Sequence, residues 1–409
     1  MTKYCCKMME YHLNYKCDMH ADPFECPDNI IIYHKSQQYG IPVRDGINSS
    51  ASSFIQIKHC PWCGQKLPAK RFAAKRTISI REEAERLEHN ILSPRAAFAD
   101  ISVGRTRDEP PCDFRTAFQR DRDRIIHCEA FRRLKHKTQV FLSPRGDHYR
   151  TRLTHTLEVS QIARTIACAL SLNESLTEAI ALGHDLGHPP FGHAGERALN
   201  TIRAEGLFRH NEQSRRVCEK IERGGLGLNL SFETLNGIEC HTGDIIPFKL
   251  EGRIVRLSDR IAYINHDIED AIAAKIITEE NIPKQLRDTL GGSKSGRINT
   301  LVRSCVNNSG EDIRLAPDVQ QALDELRAYM FKNVYTNPAC KSEETKAIEL
   351  LQRLYAHFCE NPDTMPALYR NIAENEGIER AVCDYISGMT DRYAVRLFHE
   401  LFVPKDWIN

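Results

Sequence analysis

Cysteine is spread unevenly along this chain, and the break near residue 70 sets what each part can fold into. Six of the 15 cysteines fall in the first 63 residues: Cys5, Cys6, Cys17, Cys26, Cys60 and Cys63. The other nine stand singly, as small buried hydrophobes usually do. A dense cysteine group without disulfide-type context points to metal or redox chemistry instead. Residues 1 to about 70 are also rich in Tyr, His, Pro and Ser and poor in helical period. They carry short β-prone pieces, Ile30–Tyr33 and Phe54–Ile57, separated by turn signals at Pro27-Asp28-Asn29 and Asp45-Gly46. The run from Lys66 to Arg71 reads as the linker out.

From about residue 77 the pattern becomes helical. Glu82 to Glu88 is a charged helical stretch, a Pro-rich loop follows at Pro110-Pro111, and residues 119–137 read as helical and basic. Val159, Ile162, Ala163, Ile166 and Leu170 recur at helical spacing, as do Leu176, Ala179, Ile180 and Leu182. A long helix is expected from about Gly252 to Ala274. Helical sequence returns from Asp318 to Leu401, broken near Pro338, Pro362 and Pro366. The body is therefore expected to be mainly α, behind a small β-rich N-terminal module.

The 409 residues suffice for one large domain plus a small one. A net charge of +1 gives no global pull toward nucleic acid or membrane, so anion binding must be local. No apolar run approaches the ~20 residues of a membrane span, and Met1–His12 lacks the apolar stretch of a signal peptide. A cytoplasmic protein with no membrane partner is expected.

The sharpest local feature is the run from Gly183 to His193, GHDLGHPPFGH. The adjacent His184 and Asp185 offer one nitrogen and one oxygen donor. Mixed sets of this kind suit Mn, Fe, Co, Ni or Zn, with Mg accommodated when water and phosphate complete the shell. Two neighbours cannot close a site. His155 upstream and Asp259 downstream are the candidate completing ligands. Each alone is more often a surface or satisfied core residue, but a His, then a His-Asp pair, then an Asp, on separate helices, resembles the HD superfamily of metal-dependent phosphohydrolases.

The resemblance narrows with further motifs. Gln119–Ile125, Phe131–Leu134, Lys137–Phe141, Arg150–His155, His184–Glu196, Leu250–Arg256, Asp259–Asp267 and Gly388–Ala394 look like successive signatures of bacterial deoxyguanosine triphosphate triphosphohydrolases. The similarity runs from about residue 77 to 409, with a metal core at about 150–275 and a helical C-terminal part at about 316–409. It implies an HD-domain helical fold and cleavage of a dNTP, dGTP first, between the α-phosphorus and the 5′-oxygen. It also implies a divalent ion (Mg, Mn, Fe or Co) on His155, His184, Asp185 and Asp259.

By the same resemblance His193 and Glu196 are catalytic groups. Their i, i+3 spacing would put them on one helix face if a helix starts there, and a Glu that orients a His suits general acid or base work. His188 and His210 match further polar active-site positions. Arg152 lies three residues before His155, where a guanidinium could hold phosphate bidentately. Gln139 matches a position near the sugar. Asp259, Tyr263 and Asp267, spaced i, i+4, i+8, form one stripe on a helix. The resemblance places Tyr263 and Asp267 at the deoxyribose. The remaining basic residues of 120–152, including Arg120, Arg122, Arg124, Arg132, Arg133 and Arg145, are a charge reserve of which several will be solvated faces.

Cys60-Pro61-Trp62-Cys63-Gly64 is a knuckle of the zinc-ribbon type. A tetrahedral site needs two more ligands: Cys5 or Cys6, with Cys17 or Cys26, and His12, His20 and His59 behind them. The set Cys6, Cys26, Cys60 and Cys63 is the expected zinc site, with a redox dithiol or untied thiols as alternatives. The unit resembles a zinc-ribbon-like module foreign to the usual triphosphohydrolase pattern. Regulation, partner docking and contact with single-stranded nucleic acid are its candidate roles.

Two other functions compete. One is an HD phosphodiesterase or nucleotidase acting on other nucleotides, against which the Tyr263/Asp267 stripe argues. The other is a nucleotide-sensing or nucleic-acid-binding regulator with weak turnover. The resemblance also implies a homo-oligomer controlled by a dNTP effector.

Overall fold

The computed structural model describes residues 5–20, 26–33, 39–43, 54–67, 78–139, 150–202 and 206–404. The Asp45-Gly46 turn, residues 68–71 of the expected linker, Val140, Phe141 and Arg145 lie outside the described residues. The chain divides into two compact units, Met1–Ile78 and Ser79–Asn409.

The first unit holds helix α1 (Lys7–Asn14) and three short strands, β1 (Ile32–Tyr33), β2 (Tyr39–Pro42) and β3 (Phe54–Gln56). The strands form one antiparallel sheet in the order β1-β2-β3, with Ile32 opposite Gly40 and Ile41 opposite Ile55. Its core is small: Met9, Ile31, Cys60 and Leu67 are buried together.

The second unit is mainly α-helical, with no strand longer than an isolated bridge among its described residues. Its helices are α2 (Ile80–Ile91), α3 (Ala117–Ile126), α4 (Glu129–Arg133), α5 (Arg152–Ala169), α6 (Glu174–Gly183), α7 (Gly192–Ile202), α8 (His210–Arg216), α9 (Phe232–Glu239) and α10 (Leu250–Ala273). These are followed by α11 (Lys284–Leu290), α12 (Lys294–Asn308), α13 (Pro317–Met330), α14 (Pro338–Glu360), α15 (Ala367–Glu376), α16 (Ile378–Ser387) and α17 (Asp391–Phe402). This is the mainly α architecture that the periodicity implies.

Helix starts follow local chemistry. Ser79 and Glu82 form a reciprocal capping box at α2. Thr151 caps α5, and the Asn173 side chain accepts from Ser175 N and Leu176 N at α6. The breaks expected near Pro338, Pro362 and Pro366 are present, and two of these prolines open the next helix: Pro338 is the first residue of α14, and Pro366 immediately precedes α15. The basic segment 119–137 is not one helix. It breaks at His127, and the Cys128 thiol caps α4 by accepting from Phe131 N.

Helices α5, α6 and α10 pack on one apolar core containing Val159, Ile162, Ile166, Leu176, Ile180, Ile254, Ile261 and Ile268. Ile254, Ile261 and Ile268 recur every seven residues and put one face of α10 inward. Its other face is left to carry Asp259, Tyr263 and Asp267. A second core joins α7 to α14, α16 and α17. The C-terminal helices thus support the segment that carries His193 and Glu196.

Candidate active site

His155 projects from the first turn of α5, His184 and Asp185 follow the end of α6, and Asp259 lies mid-way along α10. The structure brings all four together. His155 Nε2 is 3.1 Å from Asp259 Oδ1 and 3.9 Å from Asp185 Oδ2. His184 Nε2 is 3.5 Å from Asp185 Oδ1 and 3.8 Å from Asp259 Oδ1.

His184 decides whether this set fits a metal. Its Nδ1 donates to Ala181 O at 2.6 Å, which fixes the tautomer and leaves the Nε2 lone pair free. That Nε2 is buried and has no hydrogen-bond partner. An orphaned buried nitrogen costs free energy unless something fills its site, and it points at two carboxylates. Burial works against Asp185, but His184 and Arg152 hold its carboxyl well below the usual range. Asp259 is likewise held low, by the His155 bond and by His184, against burial. The two carboxylates raise the proton affinity of His155 despite its burial, which is the field a cation would meet. The residues present fit a divalent ion.

His241, which sequence reasoning missed, belongs here too. It follows α9, and its Nδ1 donates to Ile238 O at 2.7 Å. One of its ring nitrogens groups with donors of His184 and Asp185. Burial keeps it neutral, with its pKa down at about 3. No motif surrounds it in the sequence, so no signal pointed there.

A second histidine cluster adjoins the first. His188 Nε2 is 3.3 Å from Asp185 Oδ1, and the His188 ring stacks on His210 at 3.9 Å. Glu196, one turn into α7, accepts from His210 N at 3.0 Å and lies 3.2 Å from His210 Nδ1 and 3.5 Å from His193 Nδ1. Those bonds hold its carboxyl far below the usual range, although burial pushes the other way. His193 is 66% exposed and is the one member of the cluster open to solvent.

The turn between the clusters depends on two glycines. A Cβ on Gly187 would lie 2.1 Å from Ser214 N of α8. Gly192 has φ +54°, and a Cβ there would meet the Arg152 guanidinium at 2.8 Å. The turn is also held from the C-terminal helices. Asp391 accepts from Phe191 N and Thr138 N, each at 3.0 Å, and the buried Lys137 ammonium donates to His188 O and Ser387 O.

Arg152 is buried and donates to Asp185 Oδ2 at 2.9 Å and to Gln139 O at 3.4 Å. Gln139 Oε1 is buried and unpartnered. The other described arginines of the basic segment are mostly spent on structure. Arg124 pairs with Glu109, Arg122 with Asp123 and Glu178, Arg133 with Glu129, and Arg150 with Glu158, Glu269 and Asp270. Among them Arg152 alone contacts the candidate metal ligands.

On α10, Tyr263 is half-buried and its hydroxyl is pushed up to about 12 by burial. Asp267 is buried, with Oδ1 unpartnered and Oδ2 accepting from the Tyr335 hydroxyl. Tyr335 is a second residue that sequence reasoning missed, being 68 residues further on with no motif around it.

In the N-terminal unit the knuckle is formed: Gly64 N donates to Cys60 O at 2.9 Å, with Gly64 at φ +67°. The thiols that meet are Cys5, Cys6, Cys60 and Cys63. Cys6 Sγ is 3.7 Å from Cys60 Sγ. A zinc–sulfur bond of about 2.3 Å implies a tetrahedral edge of about 3.8 Å. Burial and the neighbouring thiols push Cys5 up to about 12. Cys26 is not in this group, which corrects the expected set Cys6, Cys26, Cys60 and Cys63. The bend at Cys5-Cys6 lets both neighbours face the knuckle, and Cys26 lies with Cys17 and His20 instead.

Comparison with known proteins agrees with this geometry. Residues 152–264 match the HD domain, 313–400 a phosphohydrolase-associated domain, and 3–87 a domain of unknown function, DUF6980. The fold is that of an HD-domain phosphohydrolase. A deoxyguanosinetriphosphate triphosphohydrolase-like protein of Caldanaerobacter subterraneus is 53% identical over 334 residues, covering 81% of this chain and 98% of its own. Proteins of the same name from Clostridium perfringens and Clostridium tetani are 51% and 47% identical, each over 80% of this chain and 99% and 97% of their own. The chain belongs to the deoxyguanosinetriphosphate triphosphohydrolase-like family. Among the described residues no helix is long and apolar enough to cross a membrane.

Proposed function

We propose that this protein hydrolyses deoxynucleoside triphosphates to deoxynucleoside and inorganic triphosphate, with dGTP the first substrate, in control of the dNTP pool. The observation that carries the reading is the polar stripe of α10. It starts at Asp259 in the metal-ready cluster and ends at Asp267, whose buried Oδ1 awaits a donor. A phosphate at one end and a sugar hydroxyl at the other fit that stripe.

His155, His184, Asp185 and Asp259 would hold Mg, Mn, Fe or Co. Such an ion supplies polarisation of the α-phosphoryl oxygen and of the attacking water. The chain's own groups do the rest. Water adds to the α-phosphorus and the bond to the 5′-oxygen breaks. His193, open to solvent and braced by Glu196, gives its proton to the departing oxygen. His210 shares Glu196, and His188, kept neutral by burial and by Arg152, packs on it. Arg152 turns from Asp185 toward phosphate charge as the α-phosphate enters. Tyr263 packs beneath C2′ and excludes a 2′-hydroxyl, while Asp267 takes the 3′-hydroxyl beside Gln139.

Cys5, Cys6, Cys60 and Cys63 form a structural zinc site in this reading, and the N-terminal unit regulates or docks a partner. The deciding experiment gives four dNTPs and four NTPs, singly and mixed, to the protein with each divalent metal, and identifies the products. Triphosphate released from dNTPs and not from NTPs is expected. Monophosphate plus pyrophosphate with every metal would overturn the reading.

A further inference from the structure

The four-thiol cluster leaves Cys17, His20 and Cys26 of the same unit unused, and these three also converge. Each offers one donor atom within 4.8 Å of the other two. Cys17 Sγ lies 3.2 Å from His20 Nδ1. No residue is shared with the Cys5, Cys6, Cys60, Cys63 group. We propose that the N-terminal unit holds a second zinc ion, on Cys17, His20 and Cys26.

The donor chemistry favours zinc. Two thiolates and one imidazole are a soft-to-borderline set, which hard ions such as Mg and Ca do not seek. Zinc bonds of about 2.3 Å to sulfur and about 2.0 Å to nitrogen imply a sulfur–nitrogen edge of about 3.5 Å. The observed 3.2 Å needs only a small outward movement. Cys17 and His20 are three apart in the irregular segment that follows α1, and Cys26 is buried at the head of the turn in which Asn29 N donates to Cys26 O.

The mechanics of the fold give an independent reason. A unit below roughly 80 residues rarely stands on its core alone and is usually stapled by metal or disulfide. The buried core here is Met9, Ile31, Cys60 and Leu67. The four-thiol site ties the start of α1 to the 60–63 knuckle, and none of its four cysteines lies between Asn14 and β1. The second site spans that gap, joining the exit of α1 to the turn that leads into β1.

The two sites differ in kind. The first presents four protein ligands. The second presents three among the described residues, so one tetrahedral position is left to an exchangeable ligand. Its ion leaves to a chelator more readily than the four-thiolate ion, which is released only when thiols are modified.

The test is cobalt and zinc counting on the full-length chain under reducing conditions. Only thiolates give sulfur-to-cobalt charge-transfer bands, so an ion on the His/Asp donors of the HD site is silent. Two equivalents with such bands are expected. Cys17→Ser/Cys26→Ser should lose one, and Cys60→Ser/Cys63→Ser the other. His20→Ala should weaken the labile equivalent at least tenfold, and His20→Cys should restore it. That pair keeps the test valid if a double cysteine variant does not fold. A single equivalent in the unmodified chain, an unchanged count in Cys17→Ser/Cys26→Ser, or a Cys17–Cys26 disulfide in place of metal would each overturn the proposal. The count does not depend on hydrolysis, so the two readings fail separately.

Discussion

Asp391, at the start of α17, accepts the Phe191 N–H at 3.0 Å across 200 residues of sequence. Its other oxygen accepts from Thr138 N and Thr138 Oγ1. One carboxylate therefore clamps the turn before His193 to the strand-like segment before α5, and ties the C-terminal helices to the chemistry. Asp391 touches no candidate ligand, so it is a positioning residue. Asp391→Ala should lower kcat on the order of 100-fold, the scale of a small misplacement of reacting groups. It should also cost about 1–3 kcal/mol for each buried N–H left unpaired. Asp391→Asn should do almost as badly, because an amide nitrogen cannot accept. Thr138→Ala, which loses only the hydroxyl bond, should do less harm. Wild-type kcat and Tm in Asp391→Ala would remove this role.

Metal removal separates the ligands by what surrounds them. Chelation should abolish hydrolysis and lower Tm, and Mn should restore both. At a free ion concentration of about 100 Kd the restored stability is about 2.7 kcal/mol. His184→Ala and Asp185→Ala should both lose the metal-dependent rise in Tm, but their metal-free forms should differ. His184→Ala breaks the Nδ1 bond to Ala181 O and leaves a cavity, but it strands no buried charge, so its metal-free form should lose less stability than that of Asp185→Ala. Asp185→Ala strands the buried Arg152 guanidinium, at about 3–5 kcal/mol. Calorimetry with and without metal checks the ordering; equal metal-free Tm values would count against it.

Glu196 braces two imidazoles, His193 at 3.5 Å and His210 at 3.2 Å. Glu196→Gln keeps the size but replaces the carboxylate that braces both rings with an amide. We expect kcat to fall about 100-fold or more, within the range for general acid–base groups, with KM little changed. The split between kcat and KM is the decisive readout, since the two rings lose their brace while the substrate contacts stay in place. A normal kcat would place the acid elsewhere.

How far the site could be read from sequence follows the range of the signals. His184, Asp185 and His188 share one short run, and Asp259, Tyr263 and Asp267 follow helical spacing, so their proximity was legible locally, while the roles expected of them came from the family resemblance. The helical body was legible because buried residues such as Val159 and Ile162 keep one period. The contributions of His241 and Tyr335 depend on where distant segments pack, and nothing beside them in sequence marks them. The arginines of 120–150 looked free because their partners are remote: Glu178 for Arg122, Glu269 and Asp270 for Arg150. Cysteine count alone cannot distinguish one group of converging thiols from two, so the sequence does not separate Cys26 from the knuckle.

Asp267 links substrate choice to stability. Burial pushes its carboxyl up to about 7, against the opposing bond from Tyr335. Its unfolded value is about 3.9. Between those two pH values the folded protein keeps a proton that the unfolded chain releases. Stability therefore falls as pH rises through that window and levels off above it, by up to about 1.4 kcal/mol for each unit of pKa difference. Asp267→Asn has nothing to titrate. Its Tm should match wild type near pH 4 and exceed it by a growing margin to pH 7, with metal omitted. Asp267→Ala, by contrast, should lose the acceptor for a sugar 3′-hydroxyl. Its rate on dGTP should drop toward the wild-type rate on the 2′,3′-dideoxy analogue, so that the ratio between the two substrates closes. A variant that still prefers dGTP over the dideoxy analogue as strongly as wild type would move the 3′-hydroxyl away from Asp267, whatever the pH dependence of its Tm.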